Sequence, residues 1–372
     1  MLLDRRLLRN LDYSLVFAVL ALCLVGFVIV FSATRGGIGP GSPQDPLYFV
    51  KRQVAAFILG TLACAVILTT DYRLAERAHQ VLYVGNVGML ALVLVMGHRI
   101  SGAQSWFRLG PVALQPSELA KVALILTLAH HLSEAHDITT HRGLALAFLH
   151  AAVPAGLVLL QNDLGTALVF CGITFAMLYV AGARGKDLLA VVGAGALASP
   201  VVFFFLLKDY QRARLLAFLN PYADPTGTGY NVIQSTIAIG SGRFFGKGLF
   251  HGTQAQLNFL PAHHTDFIFS VIGEELGFIG AVAVLTLYGL VLWRCLHAAA
   301  CAKDAFGRLV ATGVAAMLLF HVLVNVGMTM SLMPVTGIPL PFLSYGGSSL
   351  MANLVAIGFV LDVYMRRQKI LF

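Results

Sequence analysis

The sequence predicts an all-α, polytopic integral membrane protein with ten transmembrane helices and a large extracytoplasmic loop between helices 7 and 8. Three observations predict it. Hydrophobic residues make up 58% of the 372 residues and charged residues only 11%, against about 25% charged in an ordinary soluble domain. Long windows free of acids and bases recur along the chain, each near the roughly 20 residues that a helix needs to cross a bilayer. One polar, glycine-rich interruption, Asp209 to Asp266, stands out from this apolar background.

The first uncharged window, Tyr13–Thr34, follows Arg5, Arg6 and Arg9. It is too long for the apolar region of a signal peptide and lacks a small-residue cleavage site, so it is expected to be a retained helix. Gln53–Thr70, Ala78–Gly97, Gly143–Asn162, Leu164–Ala183 and Leu188–Leu207 supply five more spans. Two spans carry charges: roughly Val112–Ser133, with Glu118 and Lys121, and Phe267–Trp293, with Glu274 and Glu275. Leu309–Leu361 is uncharged, and Pro334, Gly337, Pro339, Pro341, Gly346 and Gly347 divide it into the last two spans.

Lysine and arginine accumulate on the cytoplasmic side of membrane proteins. With the N-terminus inside, the inner set is Arg5, Arg6, Arg9, Arg73, Arg77, Arg142, Arg184, Lys186, Arg294, Lys303, Arg308, Arg366, Arg367 and Lys369. The short outer loops hold only Arg35, Lys51, Arg52, Arg99 and Arg108. Both termini are therefore expected in the cytoplasm, with loop 209–266 outside. The net charge of +8 follows from this asymmetry, and no basic stripe or base-stacking module points to nucleic acid. The five cysteines fall in spans or at the cytoplasmic edge, none in the outer loop, so no disulfide is expected there. No CxxC or HExxH spacing marks a dedicated zinc site. The whole chain, 1–372, reads as one membrane domain.

Candidate chemistry concentrates in four places. The outer loop carries Phe244, Phe245, Leu249, Phe250, Leu257, Phe259 and Leu260. It is too apolar to lie free in water and longer than ordinary connections, so it is expected to pack back onto the membrane. Within it, Ile233–Ile239 suits a short amphipathic helix with Gln234 and Ser235 on its polar side. The loop ends in His263-His264-Thr265-Asp266 at the start of an apolar run. Asp266 suits an N-cap; it equally suits a general base whose partial burial raises its pKa. The second place is Glu118 and Lys121, which share a helix face. They read either as an ion pair pinning two helices or as a cation aimed at a substrate phosphate, and Glu274 or Glu275 offers Lys121 another partner. Third, segment 100–117 holds Trp106, suited to the membrane interface, and Arg108, a phosphate candidate or a plain anchor. Fourth, Met333–Ser349 contains three prolines and three glycines at membrane depth. Such backbone is tolerated where it lines a cavity, and Ser344, Tyr345, Ser348 and Ser349 would face it.

Several of these segments resemble the SEDS family (shape, elongation, division and sporulation). The matching residues are Gln211-Arg-Ala-Arg214, Phe218-Leu-Asn-Pro221, Gly229–Gly240, Gly246-Lys-Gly248, His264-Thr-Asp-Phe-Ile-Phe269, Gly273-Glu-Glu-Leu-Gly277 and Pro339–Ser349. Their order and spacing cover nearly the whole chain, and the Asn220–Asp266 pattern favours the family's rod-shape-determining, elongation branch. The resemblance implies ten helices and a peptidoglycan glycosyltransferase that polymerises lipid II, a disaccharide-pentapeptide on undecaprenyl pyrophosphate. It also implies a class B penicillin-binding protein as partner. It places the family's essential loop aspartate at Asp266 and its membrane Glu and Lys at Glu118 and Lys121. Two positions depart from the pattern: Ser105 stands where many relatives have arginine before the tryptophan, and Asn162 where many have proline. The first departure leaves Arg108 as a substitute phosphate ligand. In the mechanism so implied, Asp266 deprotonates the acceptor sugar while Lys121, Arg212, Arg214 or Arg243, or a divalent cation, stabilises the departing diphosphate. A lipid II flippase and a non-catalytic scaffold that activates the penicillin-binding protein are the alternatives.

Overall fold

A computed structural model of the chain describes residues 9–36, 45–100, 103–109, 112–134 and 138–367. Of the charges counted above, Arg5, Arg6 and Lys369 lie outside the described residues. The elements in order are α1 (Tyr13–Arg35), α2 (Tyr48–Thr69), α3 (Arg73–Arg77), α4 (His79–Met96), strands β1 (His98–Ile100), β2 (Ala103–Leu109) and β3 (Val112–Leu114), α5 (Pro116–Glu134), α6 (His141–Leu160), α7 (Leu164–Val180), α8 (Gly185–Val201), α9 (Asp209–Leu219), α10 (Tyr230–Gly242), α11 (Thr253–Gln256), α12 (Ile268–Ala300), α13 (Ala305–Thr329) and α14 (Gly347–Met365).

Among the described residues, eight helices are long and apolar enough to cross a membrane. They are α1, α2, α4, α6, α8 with its extension to Phe205, α12, α13 and α14. α7 is apolar but only 17 residues long, and α5 contains Glu118 and Lys121. The exterior is that of a membrane protein: Leu24, Leu62, Val95 and Leu197 are exposed on helix surfaces, where lipid replaces water as the apolar solvent. The interior is where polar groups collect, and Ser32, Gln53, Lys121, His321 and Asn325 are all buried.

α13 and α14 form the centre, with 72% and 78% of their apolar windows buried, whereas α8 stands outside with 6%. Pro200 lies inside α8, and a π-helical turn over Val202–Leu206 ends it, as expected where proline removes a backbone donor. α14 packs on α2, α13 on α7 and α5, and α12 on α13, α10 and α1.

One departure from the expected helices is a small antiparallel sheet in the order β1-β2-β3. The span expected from Val112 begins instead at Pro116, because Val112–Leu114 pairs with Phe107–Leu109. Proline at the start of a helix forfeits only an N–H that has no intrahelical partner. The end of the bundle carrying Asn10, Asp71, Arg294 and Arg367 is stitched by charge. Arg294 meets Asp12 at 2.7 Å, Arg366 meets Asp362 at 2.7 Å and Arg73 meets Asp304 at 3.0 Å.

Candidate functional site

The segment between α8 and α12 folds into helices that lie against the bundle, as its apolar content suggests. α10 packs on α12. Ser235, expected on its polar side, is buried: its hydroxyl lies 2.6 Å from that of Ser270 and 2.7 Å from the Thr329 carbonyl oxygen. The following turn inserts into a break in α12 at Gly277, where φ is +65°, a conformation glycine reaches without steric cost. There Lys247 and Gly248 N–H donate to the carbonyls of Glu274 and Glu275, while Phe278 and Ile279 N–H donate to those of Arg243 and Phe244. The broken helix thus recovers the hydrogen bonds that its kink costs. Glu274 accepts from Lys247 Nζ at 2.6 Å and from Thr253 N–H at 2.9 Å, and Ser32 donates to Glu275 at 2.6 Å. Both acids therefore anchor the segment between α8 and α12, and Lys121 has other partners.

Lys121 Nζ instead sits 2.9 Å from Glu118 Oε2 and 2.9 Å from His321 Nε2. His321 Nδ1 lies 2.7 Å from the Met317 carbonyl oxygen. A ring that donates there presents Nε2 as the acceptor for the ammonium. All three side chains are buried. The ion pair lies within α5, the Lys121–His321 contact ties it to α13, and the group is closed to any solvent-borne phosphate in this conformation.

Asp266 is placed differently. It follows Ala262, whose φ is +51°, and its N–H donates to the Ala262 carbonyl. α12 begins beyond it with Phe267 as N-cap and no side-chain cap, so the Asp266 carboxyl is not spent on the helix. It opens instead into a cleft of about 510 Å³ lined by Tyr210, Arg214, Asn231, Ala262, Val335 and Gly337, among others. The proline-rich stretch before α14 forms one wall. Gly337, at φ +74°, comes so close that a Cβ there would lie 3.3 Å from Asp266 Oδ2.

That wall is sewn to the Asp266 segment. Asn325 Nδ2 donates to the carbonyls of both Asp266 and Ile338 at 2.8 Å. Ser344 Oγ donates to the Thr265 carbonyl at 2.6 Å and accepts from Leu340 N–H at 2.8 Å. Tyr345 N–H donates to the His264 carbonyl at 2.9 Å. Ser344 therefore spends its hydroxyl holding two loops together, and Tyr345 packs edge-on against Phe49 with Arg52 bonded to its phenol.

The Asp266 carboxyl is half-buried but closely surrounded by protein atoms. Burial pushes its pKa up to about 6; a hydrogen bond from Thr265 and the Arg214 charge pull it down, and Asp163 pushes it up. A carboxylate so tuned is ionised at neutral pH yet more basic than usual. Asp163 N-caps α7, accepting from Thr166 N–H at 3.0 Å and Thr166 Oγ1 at 2.8 Å. Burial raises its pKa as well, and Glu118 and Lys121 both act on it. One electrostatic chain thus runs from Arg214 through Asp266 and Asp163 to the buried pair. His264 is held down to about 4 by burial and by His263, against Phe49 at 4.8 Å. His263 is lowered by burial, and its Nδ1 lies 2.7 Å from the Leu260 carbonyl. Both are neutral at pH 7.

Of the cations expected around a diphosphate, Arg214 alone among the described residues lines the cleft. Arg212 donates to the Phe204 carbonyl at 2.7 Å, Arg243 is exposed after α10 with φ +49°, and Lys121 is buried in its pair. Arg108 pairs through its backbone with Ala113, and its side chain lies outside the described residues. His321, Asn325 and Asp163 were not among the expected site residues. The first two sit at i, i+4 in an otherwise apolar run, the spacing of one helix face, and that was the available signal.

The family model FTSW_RODA_SPOVE, described as "Cell cycle protein", matches residues 13–369. A probable peptidoglycan glycosyltransferase FtsW of Trichlorobacter lovleyi is 40% identical over 364 residues, covering 96% of this chain and 93% of that protein. Peptidoglycan glycosyltransferase MrdB of Escherichia coli K12 is 37% identical over 361 residues, covering 97% and 95%. A chain from a peptidoglycan synthase complex, solved to explain how polymerization and crosslinking are coordinated, superposes with a TM-score of 0.81 at 41% identity, covering 96% of this chain and 98% of that one. The rod shape determining protein RodA of Thermus thermophilus gives a TM-score of 0.72 at 37% identity, covering 96% and 98%.

Proposed function

The chain belongs to the FtsW/RodA/SpoVE family of cell cycle proteins, and from that premise we propose that it is a peptidoglycan glycosyltransferase that polymerises lipid II. It is a multi-pass protein of the bacterial inner membrane. Ten helices span the bilayer, α5 and α7 included, with both termini in the cytoplasm and the Asp266 cleft at the outer surface. The partner is a class B penicillin-binding protein, and the process is cell elongation.

One observation carries the mechanism: Asp266 leaves its helix uncapped and turns its carboxyl into a cleft that also holds Arg214. The acceptor sugar's 4-hydroxyl gives its proton to Asp266. The freed oxygen forms a bond to the donor's anomeric carbon as the bond from that carbon to the diphosphate oxygen breaks. Undecaprenyl pyrophosphate leaves, and Arg214 offsets the charge that develops on it. The desolvation that raises Asp266 helps it take the proton.

The test is polymerisation of labelled lipid II by purified protein with its penicillin-binding partner, the partner's transpeptidase serine disabled. Asp266→Asn keeps the shape and removes the base, so glycan synthesis should fall by about 10²–10⁴-fold with the melting temperature no lower than that of the wild type. Full activity in that variant excludes the mechanism. No polymer from any wild-type sample would instead favour transport or scaffolding.

A further inference from the structure

A second cluster of chemistry-bearing side chains lies at the opposite end of the bundle from Asp266. Glu76 stands on α3, and His130 and Glu134 stand four residues apart on the last turn of α5. One donor atom from each lies within 4.8 Å of the other two. The i, i+4 spacing puts His130 and Glu134 on one helix face, and α3 supplies the third group from across the gap.

The guanidinium groups of Arg73 and Arg77 line the same cavity as the two carboxylates. Two carboxylates this close repel. Arg73 is nearby but already bound to Asp304 at 3.0 Å. Burial, then Asp304 and Glu134, act to raise the Glu76 pKa, against Arg73. His130 Nδ1 is buried and has no hydrogen-bond partner. His79 stacks on the His130 ring at 3.6 Å and orients itself through Nδ1, which lies 2.9 Å from the Glu76 carbonyl. A cavity of about 330 Å³ opens beside the group, lined by Arg73, Glu76, Arg77, Glu134 and Asp304.

We propose that Glu76, His130 and Glu134 form a divalent cation site of the Zn²⁺ class beside this cavity. One imidazole with two carboxylates suits a borderline-soft ion; Mg²⁺ and Ca²⁺ prefer all-oxygen shells. Tetrahedral bonds of about 2.0–2.1 Å put ligand atoms about 3.3 Å apart, which rotamer adjustments can reach from the present spacing. The ion cross-links the α2–α4 connection to the end of α5. With the termini in the cytoplasm, it is drawn from the cytoplasmic pool. The site is independent of the glycosyltransferase reading, and its test uses no lipid substrate.

The experiment is calorimetric titration of tag-free, chelator-stripped, detergent-purified protein with ZnCl₂, alongside MgCl₂, with metal content measured after buffer exchange. One Zn²⁺ per chain should bind, at least about 100-fold more tightly than Mg²⁺. Glu76→Gln, His130→Gln and Glu134→Gln should each weaken Zn²⁺ by about tenfold or more, while His297→Gln, a histidine remote from the cluster, leaves binding unchanged. Zn²⁺ should raise the melting temperature of wild type and not of the three variants. Should His130→Gln fail to fold, Glu134→Gln, which keeps size and polarity at an exposed position, decides the matter. Zn²⁺ binding that survives in Glu134→Gln and Glu76→Gln overturns the proposal. Equal affinity for Mg²⁺, or no Zn²⁺ bound by wild type, does so too.

Discussion

Asp266, at the edge of an apolar run, and the Glu118–Lys121 pair, inside one, are both charged groups that the sequence singles out, yet the fold puts them to opposite uses. Glu118, Lys121 and His321 satisfy one another across two helices and are sealed from solvent. Asp266 is surrounded by protein but keeps its carboxyl toward a cleft, steadied by Thr265 and by the Arg214 charge in the same cleft. The difference teaches that burial alone does not mark a reactive group. What matters is whether the charge is already compensated by its neighbours or left for something that enters.

Substitutions can break that contrast in order of size. Lys121→Met leaves Glu118 as an uncompensated buried charge, and removing one partner of such a pair costs about 3–5 kcal/mol. The variant should lose folded yield and melt far lower, whereas Glu118→Gln with Lys121→Met should recover most of that loss. Thermal unfolding in detergent measures both, and a single variant as stable as the double would mean the pair is not a structural tie. Asn325→Ala removes the bridge between the Asp266 and Ile338 carbonyls. Stability should fall by about 1–3 kcal/mol, and polymerisation should fall more than stability does, because the cleft wall loses its register.

The pH profile sharpens the Asp266 side of the comparison. With its pKa raised to about 6 by burial, the base is protonated below that pH. The log of kcat/KM should then fall by about one unit per pH unit below 6 and level off above it. A flat profile between pH 5 and 7 would exclude Asp266 as the titrating base. The stability effect has the opposite sign: a raised carboxyl pKa contributes stability below about pH 4 that is lost as the pH rises through 6. The smallest effect is expected from Gly337→Ala. It forces a side chain into φ +74° and brings a methyl 3.3 Å from Asp266 Oδ2. The backbone cost is about 1 kcal/mol, and a drop in kcat with KM preserved would show that the carboxyl moved.

The sequence made much of this site legible. Asp266 stood out because a polar segment ended there against an apolar run, and the motif Gly273-Glu-Glu-Leu-Gly277 was visible as a unit. What that motif does was not. Its two acids hold Lys247, Thr253 and Ser32, partners remote in sequence, and its glycine makes the break into which Gly246-Lys-Gly248 fits. Ser344 and Tyr345 read in the sequence as polar groups in an irregular stretch, but they hold two loops together, because buried backbone carbonyls need donors. The strands at 98–114 went unforeseen, since short segments carry little periodic signal.

By itself the sequence determined the class of protein. Window length and charge-free runs are set by bilayer thickness, and lysine–arginine asymmetry by the side on which positive charge stays. These are one-dimensional constraints and need no partner. Tertiary structure alone decided which charges neutralise one another and which remain available. Those outcomes depend on distances between residues 200 positions apart, as for Lys121 and His321. A buried charge is inert or reactive according to the few ångströms that separate it from its complement.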